Sequence, residues 1–357
     1  MENIEKLLEM MVGTKGSDLH FIAGEPPRVR RLGELENAGE EELEPEFVQE
    51  QLYKVMPAEI RAQFESTDHA DFALSLEDVA RFRVNVFRHI AGMGAVFRGI
   101  PSSAFTLEEL NLPEVIAGLC MQTNGLMLVT GKTGSGKSTT LAAMVDHINR
   151  KRKAHIITIE DPIEFVHSRK RSLISQREVG QHTPTFANAL RSALREDPDV
   201  ILIGELRDLE TMSLAVTAAE TGIMVLGTLH TNGAISTMDR LVNTFPLNKQ
   251  GQVRAMLATS LRAVISQQLV VKADRSGRLA AIEILINNSA VSNILREGKT
   301  EQLENVLTGG SLQGMQSMDN ALRKLLDSGQ ITGDEAYDKA FRKADFEQYR
   351  KQKTASF

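Results

Sequence analysis

The sequence has almost none of the residues that staple a fold covalently or through a metal. Its 357 residues include one cysteine, Cys120, which cannot form an intramolecular disulfide or complete a multi-cysteine zinc site. An apolar share of 42% and a charged share of 25% are ordinary for a folded chain, so a hydrophobic core must hold the structure. This cysteine usage fits a reducing compartment, and we expect a cytoplasmic protein.

Long apolar runs are also missing. Apolar runs such as residues 125–130 and 200–203 are far shorter than the ~20 residues that span a bilayer. Residues 1–12 mix charged and apolar side chains and lack the basic-then-apolar order of a signal peptide. We therefore expect neither export nor direct insertion into a membrane.

A third scarcity concerns positive charge and large aromatic rings. The chain has 41 Lys and Arg against 47 Asp and Glu, a net charge of −6, with no tryptophan and three tyrosines. Nucleic-acid-binding proteins usually carry a basic surface, and those that hold single strands stack bases on aromatic rings. The composition therefore disfavours a nucleic-acid translocase, and we expect no nucleic-acid partner.

The chain is longer than a single hydrophobic core usually supports, so two domains are expected. In its first part, an alternating strand at 81–88, a second strand at 94–98 and a helix at 45–64 occur without a strand-helix-strand rhythm. We predict a small α+β domain at residues 1–100. A proline and two serines then break the pattern, and we predict a linker at residues 101–115.

The predicted second domain, residues 116–357, has a different rhythm. Apolar strands alternate with helices, which is typical of a parallel sheet covered by helices on both faces, and the fold class expected is α/β. The segments are strands at 125–129, 155–160, 199–203 and 224–229, and helices from 137, at 185–195 and up to 221. The C-terminal part, from about residue 289, is predicted to be helical.

A phosphate-binding loop is predicted between the first of these strands and the following helix. Residues 131–138 match the pattern G-x-x-x-x-G-K-[ST] in full. Its glycines let backbone N–H groups turn toward phosphate oxygens, and the helix dipole adds positive potential. We expect Lys137 to reach the β- and γ-phosphates of ATP and the Ser138 hydroxyl to ligate Mg²⁺. The predicted nucleotide-binding residues are Gly131, Thr133, Gly134, Ser135, Gly136, Lys137, Ser138 and Thr139.

Acidic residues follow two other apolar strands of this sheet. Glu205 follows the strand at 199–203 in the manner of a Walker B element, whose carboxylate holds Mg²⁺ beside the phosphate-binding loop. Another strand leads into Glu160, Asp161 and Glu164, and ATP hydrolysis needs one such carboxylate to polarise the attacking water. The pattern does not choose among these three acids.

A polar cluster at residues 228–231 follows a further apolar strand and includes His230. A lone histidine is more often structural than catalytic. The carboxylates expected at the same edge of the sheet favour His230 as a sensor of the γ-phosphate.

Together these elements resemble the type II and type IV secretion ATPase family. The phosphate-binding loop, an aspartate box at 159–165, the Walker B pair at 204–205 and a histidine box at 227–231 occur in the family's order and spacing. Residues 16–20 resemble its N-terminal signature, and residues 81–85 resemble its arginine-bearing strand. The resemblance covers nearly the whole chain and implies a RecA-like P-loop ATPase core with a smaller PAS-like N-terminal domain.

The resemblance also implies roles for individual residues. Glu164 would be the catalytic glutamate and Glu205 the acid on the Mg²⁺ side. Arg81, Arg83 and Arg98 would bring positive charge from the N-terminal domain to the nucleotide phosphates, the other interpretation being a solvated strand face. Six copies are expected to form a ring in which hydrolysis moves one domain against the other.

Several features resemble the branch of this family that retracts type IV pili. The chain lacks the longer N-terminal region and four-cysteine zinc insert of the extension and secretion ATPases, and residues 290–299 resemble a C-terminal motif of retraction ATPases. It departs from the branch at Ile223, where histidine is usual, and at Ser292, where arginine is usual. Ile223 opens an apolar strand, and we expect this position to lie near the site.

The function expected from this resemblance is that of a hexameric motor that powers pilus retraction and twitching motility. Such a motor would lie in the cytoplasm, peripheral to the inner-membrane pilus base, and would work on the pilus platform protein and assembly machinery. An accessory retraction ATPase paralogue is the first alternative. A nucleic-acid translocase and an ATP-sensing regulatory subunit are the others.

Overall fold

The computed structural model describes residues 3–31, 33–76, 79–100 and 104–350. The chain divides into two compact units, Met1–Ser102 and Ser103–Phe357. Within the described ranges, no helix is long and apolar enough to cross a membrane.

The first unit packs three helices on one face of an antiparallel sheet. Its described residues form six strands in the order β3-β2-β1-β6-β5-β4, all paired antiparallel. The strands are β1 Asp18–Ile22, β2 Arg28–Arg31, β3 Glu34–Asn37, β4 His69–Leu76, β5 Ala80–His89 and β6 Gly92–Ile100. The helices are α1 Ile4–Gly13, α2 Pro45–Val55 and α3 Ala58–Thr67.

Strand β5 confirms the alternating pattern expected at 81–88. Phe82, Val84 and Val86 are fully buried in the core of this unit, and Arg83 on the other face is exposed. Because side chains alternate across a strand, one face of the sheet is apolar and the other polar.

The single helix predicted at 45–64 is wrong. Two helices, α2 and α3, are separated at Met56 and Pro57. Proline cannot donate the helical backbone hydrogen bond and pushes the preceding residue into an extended conformation, as Met56 shows with ψ of 123°. Pro57 then precedes the first residue of α3.

The second unit is built on a sheet in which six strands run parallel. Its described residues give the order β13-β12-β7-β11-β10-β8-β9, with only the edge strand β13 antiparallel to its neighbour. The strands are β7 Gly125–Thr130, β8 His155–Glu160, β9 Leu173–Glu178, β10 Val200–Ile203, β11 Met224–Leu229, β12 Leu261–Val271 and β13 Arg278–Ile286. The helices are α4 Val115–Cys120, α5 Lys137–Lys151, α6 Phe186–Ala193, α7 Leu209–Glu220, α8 Ala234–Asn243, α9 Leu247–Ser260, α10 Ser289–Glu297, α11 Leu303–Gly309, α12 Met318–Asp327 and α13 Gly333–Lys339.

The central strands confirm the expectation of a sheet covered on both faces. Every residue of β7, β10 and β11 is buried, and two apolar clusters lie on the two sides of the sheet. The long pair β12–β13 was not anticipated from the sequence. It extends the sheet beyond β7 and supports the C-terminal helices.

The segment predicted as a linker, 101–115, belongs in its described part to the second unit. Leu107 is 4% exposed and shares a core cluster with Ile116. Residues 101–103 lie outside the described residues.

The parallel arrangement sets where the polar loops emerge. Because parallel strands point the same way, the loops that follow β7, β8, β10 and β11 leave from one edge of the sheet. Ile223 precedes β11 and therefore lies at the opposite edge, about 20 Å away at ~3.3 Å per residue. The expectation that this position lies near the site is wrong.

We predict that Ile223→His lowers the free energy of unfolding by about 1–3 kcal/mol, because the half-buried side chain packs on the core and an imidazole there loses hydration. Urea denaturation at pH 8 measures the change. Ile90→His is the matched control, since Ile90 is fully exposed. We expect Ile223→His to lose more stability than Ile90→His, and both variants to keep the wild-type rate of nucleotide turnover. Altered turnover in Ile223→His alone would contradict this interpretation.

Candidate functional site

The loop between β7 and α5 has the backbone that phosphate binding requires. Gly131, Gly134 and Gly136 have φ of 143°, 78° and 88°, which favour glycine. At Gly131 a Cβ would also lie 2.3 Å from the carbonyl oxygen of Gln267. This loop therefore depends on glycine for both conformation and space.

Gln267 of β12 binds the loop through its side-chain amide, and this role was not anticipated from the sequence. Its Nε2 donates to the Ser135 carbonyl at 2.8 Å, and its Oε1 accepts from the Thr140 hydroxyl at 2.7 Å. Both bonds are buried, so the amide ties the loop to the first turns of α5. A glutamine in a buried strand is the one sequence signal that could have indicated this role.

Lys137 folds back into the loop. Its Nζ donates to the carbonyls of Gly131 at 2.9 Å and Lys132 at 3.2 Å. Burial lowers the pKa of this ammonium, and the charge of Glu205 opposes that shift. The first turn of α5 also holds Ser138, which is exposed, and Thr139, which is half-buried.

A short polar chain joins three of the predicted motifs. The Thr133 hydroxyl lies 3.3 Å from His230 Nδ1, and His230 Nε2 lies 3.3 Å from Glu205 Oε1. With a proton on Nε2, the imidazole donates to Glu205 and accepts from Thr133. The phosphate-binding loop, the Walker B acid and the histidine box therefore meet at one point.

Arg207 continues this chain and was not among the predicted site residues. Its Nε lies 2.7 Å from Glu205 Oε2, and its Nη1 lies 3.7 Å from Asp161 Oδ2. The guanidinium thus stands between two acids from neighbouring strands, with its side chain 57% exposed.

The three acids after β8 have different surroundings. Glu160 accepts from the Thr158 hydroxyl at 2.7 Å and from Gln176 at 3.3 Å, and burial raises its pKa. Asp161 pairs with Arg207. The carboxylate of Glu164 is exposed and has no hydrogen-bond or ion-pair partner among residues the structure describes.

The three predicted arginines lie together in the first unit. Arg83 pairs directly with Arg98 across β5 and β6, and Arg81 pairs with Ile100 two positions along. Arg98 Nε donates to Asp18 Oδ1 at 2.8 Å. Burial opposes ionisation of Asp18, but hydrogen bonds from Ser17 and Arg98 outweigh it and lower the pKa. A role of these arginines toward the nucleotide stays a prediction.

A metal ion at this site would depend on the nucleotide as well as the protein. In the described parts of the chain, no group of three or more His, Cys, Asp or Glu side chains has the geometry to hold a metal by itself. Ser138 and Glu205, a hydroxyl and a carboxylate, are nevertheless donor types that suit Mg²⁺ completed by phosphate oxygens and water.

Known proteins are similar to this chain in both sequence and fold. The chain is 50% identical over 339 residues to the type IV pilus retraction ATPase PilT of Pseudomonas aeruginosa, covering 95% of this chain and 98% of that one. It is 52% identical over 310 residues to a twitching motility protein of Neisseria gonorrhoeae, covering 87% and 83%.

The fold matches a solved structure of the pilus retraction motor PilT with bound ADP. The two chains are 44% identical with a TM-score of 0.90, and the match covers 98% of this chain and 100% of that one. This likeness bears out the predicted RecA-like α/β core. The model of the type II/IV secretion system protein family matches residues 2–351. Over nearly its whole length, the chain belongs to the type II/IV secretion system protein family.

Proposed function

We propose that this protein is an ATP-hydrolysing motor that powers type IV pilus retraction and thereby twitching motility. The observation that carries the proposal is the chain of contacts from Thr133 through His230 to Glu205. It joins the phosphate-binding loop to the carboxylate that follows β10. The similarity to a retraction ATPase over almost the full chain supports the same assignment.

Nucleotide binding follows from the geometry of the loop. The backbone N–H groups of residues 131–136 and the N-terminus of α5 would bind the phosphates, and Lys137 would exchange its two carbonyl partners for phosphate oxygens. Mg²⁺, held by Ser138 and Glu205, would neutralise charge that develops as the γ-phosphoryl group leaves.

Glu164 is the acid best suited to polarise the attacking water. Glu160 is occupied by Thr158 and Gln176, and Asp161 by Arg207. Glu164 has a free and exposed carboxylate among the described residues, which a general base needs. His230, which touches both Thr133 and Glu205, would respond to the γ-phosphate because a ligand there competes for the same contacts.

The mechanical step requires more than one copy of the chain. We propose a homohexameric ring in which Arg81, Arg83 and Arg98 approach the nucleotide phosphates and sense their loss on hydrolysis. A change of the bound nucleotide then shifts the equilibrium between two domain arrangements. The size of the shift is set by the difference in the nucleotide's affinity for the two arrangements. The ring would act at the cytoplasmic side of the inner-membrane pilus base, on the platform protein and assembly machinery.

An accessory ATPase beside a main retraction motor is the second candidate. Ser292 stands where the retraction branch usually has arginine, and its hydroxyl donates instead to the Ala258 carbonyl at 2.7 Å. Deletion of the gene separates the two functions, with piliation, retraction and twitching as readouts. Deletion of a main motor should leave cells piliated and unable to twitch. Deletion of an accessory motor should leave retraction under low load intact.

Lys137→Ala is expected to remove tight ATP binding and turnover, because the phosphate-binding loop then lacks its buried cation. Binding of a fluorescent ATP analogue and steady-state phosphate release measure the two effects. Lys151→Ala, on the last turn of the same helix, is the control and should bind and hydrolyse ATP as the wild type does. Full activity of the Lys137 variant would overturn the site assignment.

Glu164→Gln should lower kcat at least about 100-fold while ATP affinity stays within a few-fold, because only the base is lost. Glu160→Gln and Asp161→Asn are compared in the same assay. Glu205→Gln should weaken Mg²⁺-dependent nucleotide binding as well as turnover. If Glu164→Gln hydrolyses ATP within threefold of the wild type, another of the three acids is the base.

The ring itself is tested by sedimentation velocity with Mg²⁺ and a non-hydrolysable ATP analogue. We expect a species six times the mass of the chain at micromolar protein. A monomer under these conditions would contradict the hexamer and leave the ATPase assignment to be judged by the variants above.

A further inference from the structure

The segment that carries Glu164 is held like an extra strand beside β9. From Ile163 to His167 the burial alternates, with Ile163 4% and Phe165 7% exposed, while Glu164 and Val166 are exposed. This alternation is the pattern of an extended segment with one buried face. The segment has no regular strand pairing, so other groups must satisfy its backbone.

Two side chains of β9 make those bonds. Gln176 Oε1 accepts from the His167 N–H at 2.8 Å, and its Nε2 donates to the Phe165 carbonyl at 2.8 Å. Glu178, two residues further and on the same face of the strand, accepts from the Ile163 N–H at 3.1 Å. The backbone is therefore fixed at alternate residues, on both sides of Glu164.

Gln176 also reaches the acid that organises the start of this segment. Its Nε2 lies 3.3 Å from Glu160 Oε1, and the other oxygen of Glu160 accepts from the Glu164 N–H at 3.4 Å. The Gln176 amide thus bonds directly to the backbone of Phe165 and His167. Through Glu160, it is also connected to the backbone N–H of Glu164.

We propose that Gln176 is a positioning residue for hydrolysis, which holds residues 163–167 extended so that the Glu164 carboxylate faces away from β9 and toward the reacting phosphate. The inference rests on the proposed function, since it assigns the purpose of this geometry to Glu164 as the base. Alignment of a base matters more in the transition state than in binding, so its loss lowers kcat and leaves KM nearly unchanged.

The test is Gln176→Met, which keeps the length of the side chain and removes its three hydrogen bonds, to His167, Phe165 and Glu160. We expect kcat to fall at least about tenfold, with KM for ATP and nucleotide affinity within threefold of the wild type. Gln316→Met is the matched control, because the Gln316 amide also donates to a backbone carbonyl, that of Ile282, at 2.8 Å in the C-terminal part of the chain. The control should lose comparable thermal stability and keep kcat within twofold.

The double variant Gln176→Met with Glu164→Gln connects the effect to the base. If Gln176 acts through Glu164, the double variant is no slower than Glu164→Gln alone. A further multiplicative loss, or equal kcat losses in the Gln176 and Gln316 variants, would overturn the inference. If Gln176→Met keeps its kcat while Glu164→Gln is inactive, Gln176 has no positioning role, and Glu164 remains the proposed base. If Glu164→Gln is active, Glu164 is not the base, and the role assigned to Gln176 is rejected with it.

Gln176→Glu keeps the test open if the methionine variant does not fold. A carboxylate there still accepts from the His167 N–H, but it loses the donor to Phe165 and to Glu160 and places a second carboxylate beside that of Glu160. Its kcat should fall below that of the wild type at pH 8. Wild-type kcat in this variant would count against the proposal.

Discussion

The site depends on the parallel pairing of β7, β11, β10 and β8. In this register Thr130 lies beside Leu229, and Ile203 lies beside both Gly227 and Ile159. Each strand is buried on both faces, so a slip along any of them would expose apolar side chains and move a polar loop into the core. Apolar packing therefore sets the positions of groups that are themselves polar, and it brings His230 within 3.3 Å of Glu205.

The hydrogen bonds of the site refine what the sheet places. Gln267 holds the phosphate-binding loop, and Gln176 holds the segment that carries Glu164. Both are neutral amides that donate and accept at once, which suits buried backbone groups without adding charge near the phosphates. Lys137 is buried in the loop, whereas Glu205, Arg207 and His230 are partly or largely exposed.

A buried carboxylate links the histidine box to the C-terminal helices. Glu283 of β13 is 4% exposed, and its two oxygens accept from the N–H groups of Ala234 at 2.7 Å and Met318 at 3.1 Å, at the starts of α8 and α12. Burial raises its pKa, while these two hydrogen bonds favour the charged form. Because α8 begins just after the histidine box, this one side chain contacts both the residues next to the box and the start of α12.

The sequence by itself determined the α/β class, most strand positions in the second unit and the phosphate-binding loop, because apolar periodicity and glycine spacing are local properties. It also supplied Glu205 and His230 as candidates, since each follows an apolar strand. Pro57 is a local signal for the break between α2 and α3, which the prediction of one helix overlooked. The place of Ile223 at the far edge and the pairing of β12 with β13 depend on the order of strands in the sheet.

The resemblance to the family singled out Glu164 among the three acids after β8, and only the tertiary structure gives a physical difference between them. Glu160, Asp161 and Glu164 lie within five residues and have the same chemistry in the sequence. Their difference comes from partners far along the chain, Gln176 for the first and Arg207 for the second, which leave the third carboxylate free among the described residues. Such partners are fixed by strand order and by the packing that determines it, and neither is a local property of the chain.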